Sequence, residues 1–353
     1  MKLSSALTEA YTRERYSARQ AQERAEWIAF GPIVFQVSRV MLRWGILERL
    51  SDSDCGLTIG ELAAACGKSE YAIKVLLEAS LSIGTVLVDP ATERFTLSKT
   101  GWFLLNDPAT RVNVDFNHDV NYEGWFKLEQ ALDEGKPAGL RHFGSWGTIY
   151  EGLSSLPAHV RRSWLAFDHF YSDSAFDAAL DIVFALKPST ILDVGGNTGR
   201  WALRCVARDP KVNITIMDLP QQIEMMEQAT AGKPGAERID AFATDLLERS
   251  NSFPTNRHYD VIWMSQFLDC FGEDEILSIL RRELLPQCSK FHVQRIAFYG
   301  SGVRPELESM MERTLQTVFP QVAAIEAHGD LLGAARAVCG EKEGIACILG
   351  TGS

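Results

Sequence analysis

The spacing of apolar positions changes along this chain, and the change separates two kinds of structure. Between residues 17 and 50, Ile33, Val37, Val40, Met41, Trp44 and Leu47 recur at helical spacing and make a broad apolar face. That pattern predicts a long helical region, interrupted near Gly31-Pro32. Thr58 with Glu61 three residues on is a capping-box pair, which predicts a short helix over 59–65. A turn at Cys66-Gly67 and a helix over 69–82 follow. Val86–Val88 and Arg94–Leu97, joined through Asp89-Pro90, read as a hairpin. After Pro188 the apolar residues gather into short runs: Ile191–Val194, Val212–Met217, Ile239–Thr244 and Tyr259–Met264. Helical stretches such as Arg200–Arg208 and Glu273–Leu284 separate them, and this alternation predicts a parallel sheet with ligands beyond the carboxyl ends of its strands.

The fold class is therefore α/β, with an α-rich winged helix over 1–109 ahead of a Rossmann-like sheet over 186–292. Between them, 110–185 is a helical linker rich in aromatics, with polar residues such as Asn117, His142 and Asp168 interleaved. An apolar pocket with a few convergent polar groups is how a protein holds a small aromatic ligand, so His118, Asn121, Trp125 and His169 are candidate substrate contacts. Residues 293–353 form an atypical C-terminal segment.

Composition narrows the partners. The net charge of −11 argues against nucleic acid or an anionic membrane. The candidate recognition helix of the winged helix carries Lys74 against Glu70 and Glu78, a poor match to phosphate, so a dimerisation domain is the expected role. The seven cysteines contain no C-x-x-C pair, and neither a signal-type leader nor a bilayer-length apolar run stands out, so a cytoplasmic protein with reduced thiols is expected. No metal-ligand spacing is evident.

The chemistry concentrates in ILDVGGNTGR and the strand after it. Strand, glycine turn, helix, strand and a terminal acid at Asp218 make half of a nucleotide-binding unit, in which the acid can accept from both ribose hydroxyls. An adenosine-containing cofactor follows. Asp193, just before the turn, repels phosphate but suits the ammonium of a methionine moiety. The string D-V-G-G-N-T-G resembles motif I of class I S-adenosylmethionine-dependent methyltransferases, and Met217-Asp218-Leu219-Pro220 resembles their second motif.

With W-F-K-L-E-Q-A-L-D-E-G-K-P at 125–137, residues from about 20 to 285 resemble the O-methyltransferases of the caffeate and hydroxyindole type. The resemblance implies a homodimer, S-adenosylmethionine as cofactor and a small aromatic acceptor. It implies that Gly195, Gly196 and Gly199 cradle the methionine end and Asp218, beside Leu219, takes the ribose. It places Asp245 at the adenine amino group, Leu246 on the adenine face, and Ser265 with Gln266 at the sulfonium end. The catalytic position departs from the family, because Asp269 stands where a histidine is usual. Asp269 is then a base with a raised pKa, an orienting group, the mark of a carbon or other acceptor, or a plain helix N-cap, in which case His118, His142 or His169 could supply a base from the linker. A non-catalytic dimeric regulator or scaffold is the alternative from another class.

From about Val293, the phrases IAFYGSG, HGDLLGAARA and GIACILGTGS resemble the sugar kinases and ATPases of the N-acetylglucosamine kinase and BadF type. Asp330 would face a sugar hydroxyl and Gly350–Ser353 would be one phosphate loop, but its partner loop is missing. A natural fusion, a gene-model error and an engineered chimera all fit. The expectation is that Ile296–Tyr299 and Ile345–Leu349 extend the open edge of the sheet beside Val261–Met264 and do not act as a kinase.

Overall fold

The computed structural model describes residues 12–248, 250–254, 257–271, 273–286, 293–300 and 305–329, in two compact units that divide between Tyr122 and Glu123. In the first unit, a capping box between Ser17 and Gln20 opens helix α1, Ala18–Arg43. The helix runs through Pro32, where the sequence predicts a break. Proline deletes one internal hydrogen bond, and Ile28, whose carbonyl loses that partner, is 80% exposed, where water can replace it. The break falls instead at Gly45, which takes the left-handed conformation (φ 68°) before α2, Ile46–Ser51.

The predicted capping box of Thr58 and Glu61 opens α3, Ile59–Cys66, and Ser69 caps α4, Glu70–Ile83. Strands β1 (Val86–Asp89) and β2 (Arg94–Leu97) pair antiparallel with Val86 opposite Leu97. Helices α5, Lys99–Asn106, and α6, Pro108–Phe116, complete the unit with a π-helical turn over Asn117–Asn121. Its core is built on Met41, Ile46, Leu47, Leu62, Ile73 and Leu77, and Val114 of α6 packs against it.

The second unit begins with a 3-10 turn, Gly124–Lys127, and the helices α7 (Leu128–Glu134), α8 (Ile149–Gly152), α9 (Ala158–Asp173) and α10 (Phe176–Ala185). Then strands and helices alternate: β3 (Thr190–Val194), α11 (Arg200–Arg208), β4 (Asn213–Asp218), α12 (Pro220–Thr230), β5 (Ile239–Ala243), β6 (Val261–Met264) and α13 (Glu273–Ile279). The four strands are parallel in the order β5-β4-β3-β6, so the connections cross on both sides of β3. Asp193 of β3 sits between Ile216 and Trp263 of its neighbours. One face of the sheet packs Ile191, Ile214 and Ile216 against Trp201 and Cys205 of α11 and Phe176 of α10.

The C-terminal segment corrects one expectation. Strand β7 (Arg295–Gly300) does not extend the sheet beside β6. It pairs parallel with β8 (Ala324–Gly329) through helix α14 (Pro305–Val318), in register from Arg295 with Ala324 to Gly300 with Gly329. Parallel neighbours need a crossover of about a dozen residues or more, and α14 supplies it locally. The segment still joins the body of the domain. Leu315, Phe319, Val322 and Ala327 share one core with Leu192, Val194 and Met217, and Ile296 and Phe298 pack against it. Ile345–Leu349, Asp330 and Gly350–Ser353 lie outside the described residues.

Candidate active site

A cavity opens at the carboxyl ends of β3, β4, β5 and β6. Its walls are the segments that leave those strands, and each shape has a local cause. After β3 the chain turns through Gly195 (φ 74°) and Asn197 (φ 48°), and the Gly195 N–H donates to the Met217 carbonyl at 2.8 Å. A Cβ on Gly196 would lie 2.7 Å from Oδ2 of Asp193 and 2.8 Å from Cγ2 of Ile216, so glycine lets the turn lie directly on the ends of β3 and β4. Asp218, at the tip of β4, accepts from the backbone N–H of Asn197 (2.9 Å) and of Leu219 (2.8 Å).

The two acids of this loop are unusual. Asp193 is 3% exposed and its Oδ2 has no hydrogen-bond partner among the described residues. Burial, reinforced by the negative Asp218, pushes its carboxyl up to about 8. Burial also lifts Asp218, to about 6, against the lowering pull of its two backbone hydrogen bonds. Arg200 lines the same cavity but is held by Asp173, so it is not a free phosphate anchor.

The remaining predicted cofactor residues fall on the same wall with one exception. Leu219, Asp245, Leu246, Ser265 and Gln266 line the cavity with Asp193, Gly195, Gly196 and Asp218. Gly199 does not line it: it takes φ 76°, and a Cβ there would meet Thr230 Cγ2 at 2.9 Å and Met226 Cγ at 3.1 Å. It lets the start of α11 approach α12. Gln266 has φ 50°, and after it the Phe267 ring closes on Gly195, 2.8 Å from where a Cβ would stand. Asp269 belongs to a 3-10 turn, Leu268–Cys270, and its side chain lies outside the described part of the structure.

The four candidate substrate contacts separate. His169 lines the cavity, with Nε2 at 2.9 Å from the Thr198 hydroxyl. Burial, then the Arg200 charge, pull it down to about 4, so it is neutral at physiological pH. Its neighbour Asp168 accepts from the Asn197 amide at 2.9 Å. Trp125 sits half exposed on the 3-10 turn and does not line the cavity. His118 and Asn121 belong to the first unit, where His118 bonds Asp119 at 2.7 Å and Asn121 reaches Asn117 at 3.5 Å.

Several cavity residues carry little sequence signal. Tyr150 stands edge-on to Trp164 (5.7 Å), and its hydroxyl accepts from the Cys270 thiol at 3.2 Å. Gln222 of α12 donates to the Tyr150 carbonyl at 3.1 Å, fastening α8 to the wall. Trp201 stacks on Trp263 at 4.6 Å and 21°. Asn197 and Thr198 are in the glycine string, and only their contacts with α9 reveal a second duty.

A tight glycine turn, a buried carboxylate oxygen lacking a donor among the described residues, and an acid at the tip of β4 fit a cationic adenosine ligand and not a phosphate. Comparison with known proteins agrees. Residues 22–95 match the Dimerisation2-like domain, and residues 169–288 match the O-methyltransferase domain. The chain is an S-adenosylmethionine-dependent methyltransferase. It is 24% identical over 319 residues to L-tyrosine C(3)-methyltransferase of Streptomyces lavendulae, covering 88% of this methyltransferase and 82% of that protein. It is 27% identical over 218 residues to acetylserotonin O-methyltransferase of Gallus gallus, covering 59% and 62% of the two chains. The methyltransferase also shares its fold with human N-acetylserotonin methyltransferase solved with S-adenosylmethionine, at a TM-score of 0.57 and 16% identity over 92% of both chains.

Proposed function

We propose that this methyltransferase transfers a methyl group to a hydroxyl or ring carbon of a small aromatic acceptor. The observation that carries the reading is the aromatic wall of Tyr150, Trp164, Phe267 and Phe271, continuous with the acids at the strand ends. Bound in the cavity, S-adenosylmethionine supplies an electrophilic methyl group. Asp193 and the Gly195–Gly196 turn hold the methionine end, Asp218 beside Leu219 the ribose, Asp245 the adenine amino group and Leu246 its face. Ser265 and Gln266 line the sulfonium end. The aromatic wall orients a flat acceptor and excludes water, which is how positioning lowers a bimolecular barrier. Neutral His169 fixes Thr198, and through it the turn.

Asp269 is the candidate base or orienting group, by its sequence position after β6. An aspartate where a histidine is usual, with a C-methyltransferase among the relatives, keeps ring-carbon transfer as the second reading. A non-catalytic scaffold and a sugar kinase draw no support from the matched domains. The Dimerisation2-like match, with Trp27, Ile28, Phe30 and Ile33 exposed on α1, supports a homodimer. Among the described residues no helix is long and apolar enough to cross a membrane, and Cys55, Cys66 and Cys205 form no disulfide, which goes with the cytoplasmic setting we propose.

The test is methyl transfer from labelled S-adenosylmethionine to a panel of phenols, catechols, hydroxyindoles and tyrosine, with product mass and the site of methylation read together. Turnover on an aromatic member carries the reading, and the methylated atom separates oxygen from carbon. Cofactor binding without turnover on any member would return the scaffold alternative.

A further inference from the structure

Two carboxylates line one end of the cavity, and among the described residues that line it the one cation, Arg200, is held by Asp173. Asp193 reaches it from β3 and Asp218 from β4, and the turn after Asp193 is tied to Asp218 through the Asn197 N–H. Asp218 accepts two backbone N–H groups, whereas Oδ2 of Asp193 accepts from none of the described residues. Among the described residues, the other elements against Asp193 supply no positive charge. From α11 it faces Cys205, a buried thiol pushed up and so protonated, and from β6 its register partner is Trp263. Farther along the wall, α9 offers Asp168 and neutral His169, α11 offers Arg200 locked to Asp173, and the segment after β5 adds Asp245. An isolated buried carboxylate beside another negative charge holds a proton until a cation arrives.

We propose that binding of the cofactor's amino-acid end drives a proton off Asp193. The O–H bond of the carboxyl breaks, its electron pair stays on the carboxylate, and the proton passes to the buffer as the ligand's ammonium takes its place. Asp193, which burial and Asp218 hold up at about 8, is protonated in the empty cavity at neutral pH and ionised in the filled one. Asp218 changes less, because its backbone donors remain in place whether or not ligand is bound. The coupling makes Asp193 the residue that recognises the charge of the methionine end, and it makes cofactor affinity rise with pH until that carboxyl ionises unaided. The inference rests on the cofactor assignment but not on the identity of the acceptor.

Calorimetry on the full-length protein tests it without turnover. S-adenosylhomocysteine and 5′-deoxy-5′-methylthioadenosine present the same adenosine, but only the first carries the ammonium. Each is titrated at about pH 7 in buffers of different ionisation enthalpy, so that the slope of heat against that enthalpy counts protons. The expected result is roughly one proton released per S-adenosylhomocysteine and close to none for methylthioadenosine. Asp193→Asn should remove the release while leaving methylthioadenosine affinity within about twofold, which also shows that the variant is folded. Heats of S-adenosylhomocysteine binding that do not depend on the buffer would overturn the proposal. So would an Asp193→Asn variant that still releases the proton. Failure of both ligands to bind would overturn the cofactor assignment and the inference with it.

Discussion

Asn197 and Asp218 fasten the glycine turn to the end of β4: the Asn197 N–H donates to Oδ2 of Asp218 at 2.9 Å. The same carboxylate that shapes the turn is the one we propose for the ribose. Asp218→Ala removes both functions. Hydrogen bonds to a charged group are worth about 1.5–3 kcal/mol each, so loss of one ribose contact alone weakens binding at least about tenfold. Calorimetry with S-adenosylhomocysteine should show a dissociation constant raised at least about tenfold, and beyond about a hundredfold if both hydroxyls are held. An unchanged constant would remove Asp218 from the ribose site.

Gly199 predicts a different phenotype. Its φ of 76° disfavours any L side chain, and its Cβ would press on Thr230 and Met226. Gly199→Ala should therefore cost stability, about 1–3 kcal/mol, through backbone strain and separation of α11 from α12. A domain of this size should lose several degrees of thermal midpoint. Cofactor affinity measured well below that midpoint should change far less than for Asp218→Ala, since Gly199 does not line the cavity.

These two residues also show what the sequence carries and what it does not. Asp218, the turn before it and the strand ends at Asp245 and Ser265 were legible because strand period, glycine and terminal acid are local features. The β3–β6 boundaries come within about two residues of the apolar runs for the same reason. Gly199 reads as cradle in a string and as helix spacer in space, because only tertiary contact says which side of the turn it faces. Cys270 and Tyr150, 120 residues apart, and Gln222 under Tyr150 leave no periodic trace. The first helix ran through Pro32 because one lost bond at an exposed turn is cheap. The pairing of β7 with β8 went unread because both candidate partners, β6 and β8, suit an apolar strand, and the short α14 crossover decides between them.

Stability should depend on pH in a direction opposite to that of ordinary carboxylates. Asp193 and Asp218 have folded-state pKa values raised above 3.8, to about 8 and about 6, so their contribution is present at low pH and is lost as pH rises through those values. His169, depressed from 6.5 to about 4, acts the other way, but its contribution is complete above 6.5. Between about pH 6.5 and 8 the Asp193 carboxyl dominates. Over that interval the ligand-free protein should lose up to about 2 kcal/mol, at about 1.4 kcal/mol per pH unit and group. Urea midpoints across the interval should fall for the wild type and stay flatter for Asp193→Asn. A wild-type profile that rises through the same window would contradict the buried, protonated Asp193.

The C-terminal segment gives the last prediction, because its strands pair with each other and yet its side chains enter the main core. Leu315, Phe319 and Val322 are buried among Leu192, Val194, Met217 and Leu246, which lie on the sheet and at the cavity wall. Burying one such side chain is worth about 1.5–3 kcal/mol, so these three alone contribute about 5–9 kcal/mol, comparable with the whole stability of a typical domain. Truncation after Leu285 strips them away and exposes one face of the sheet. The truncated chain should be insoluble, or should lose its cooperative thermal transition and bind S-adenosylhomocysteine weakly. Single changes grade the effect: Phe319→Ala should cost about 3–5 kcal/mol, with the cavity it leaves adding to the lost transfer energy. Substitution at exposed Met310 on α14 should cost almost nothing. A truncated protein that melts at the full-length temperature would show that α14 and β8 contribute nothing to the core, whatever their contacts.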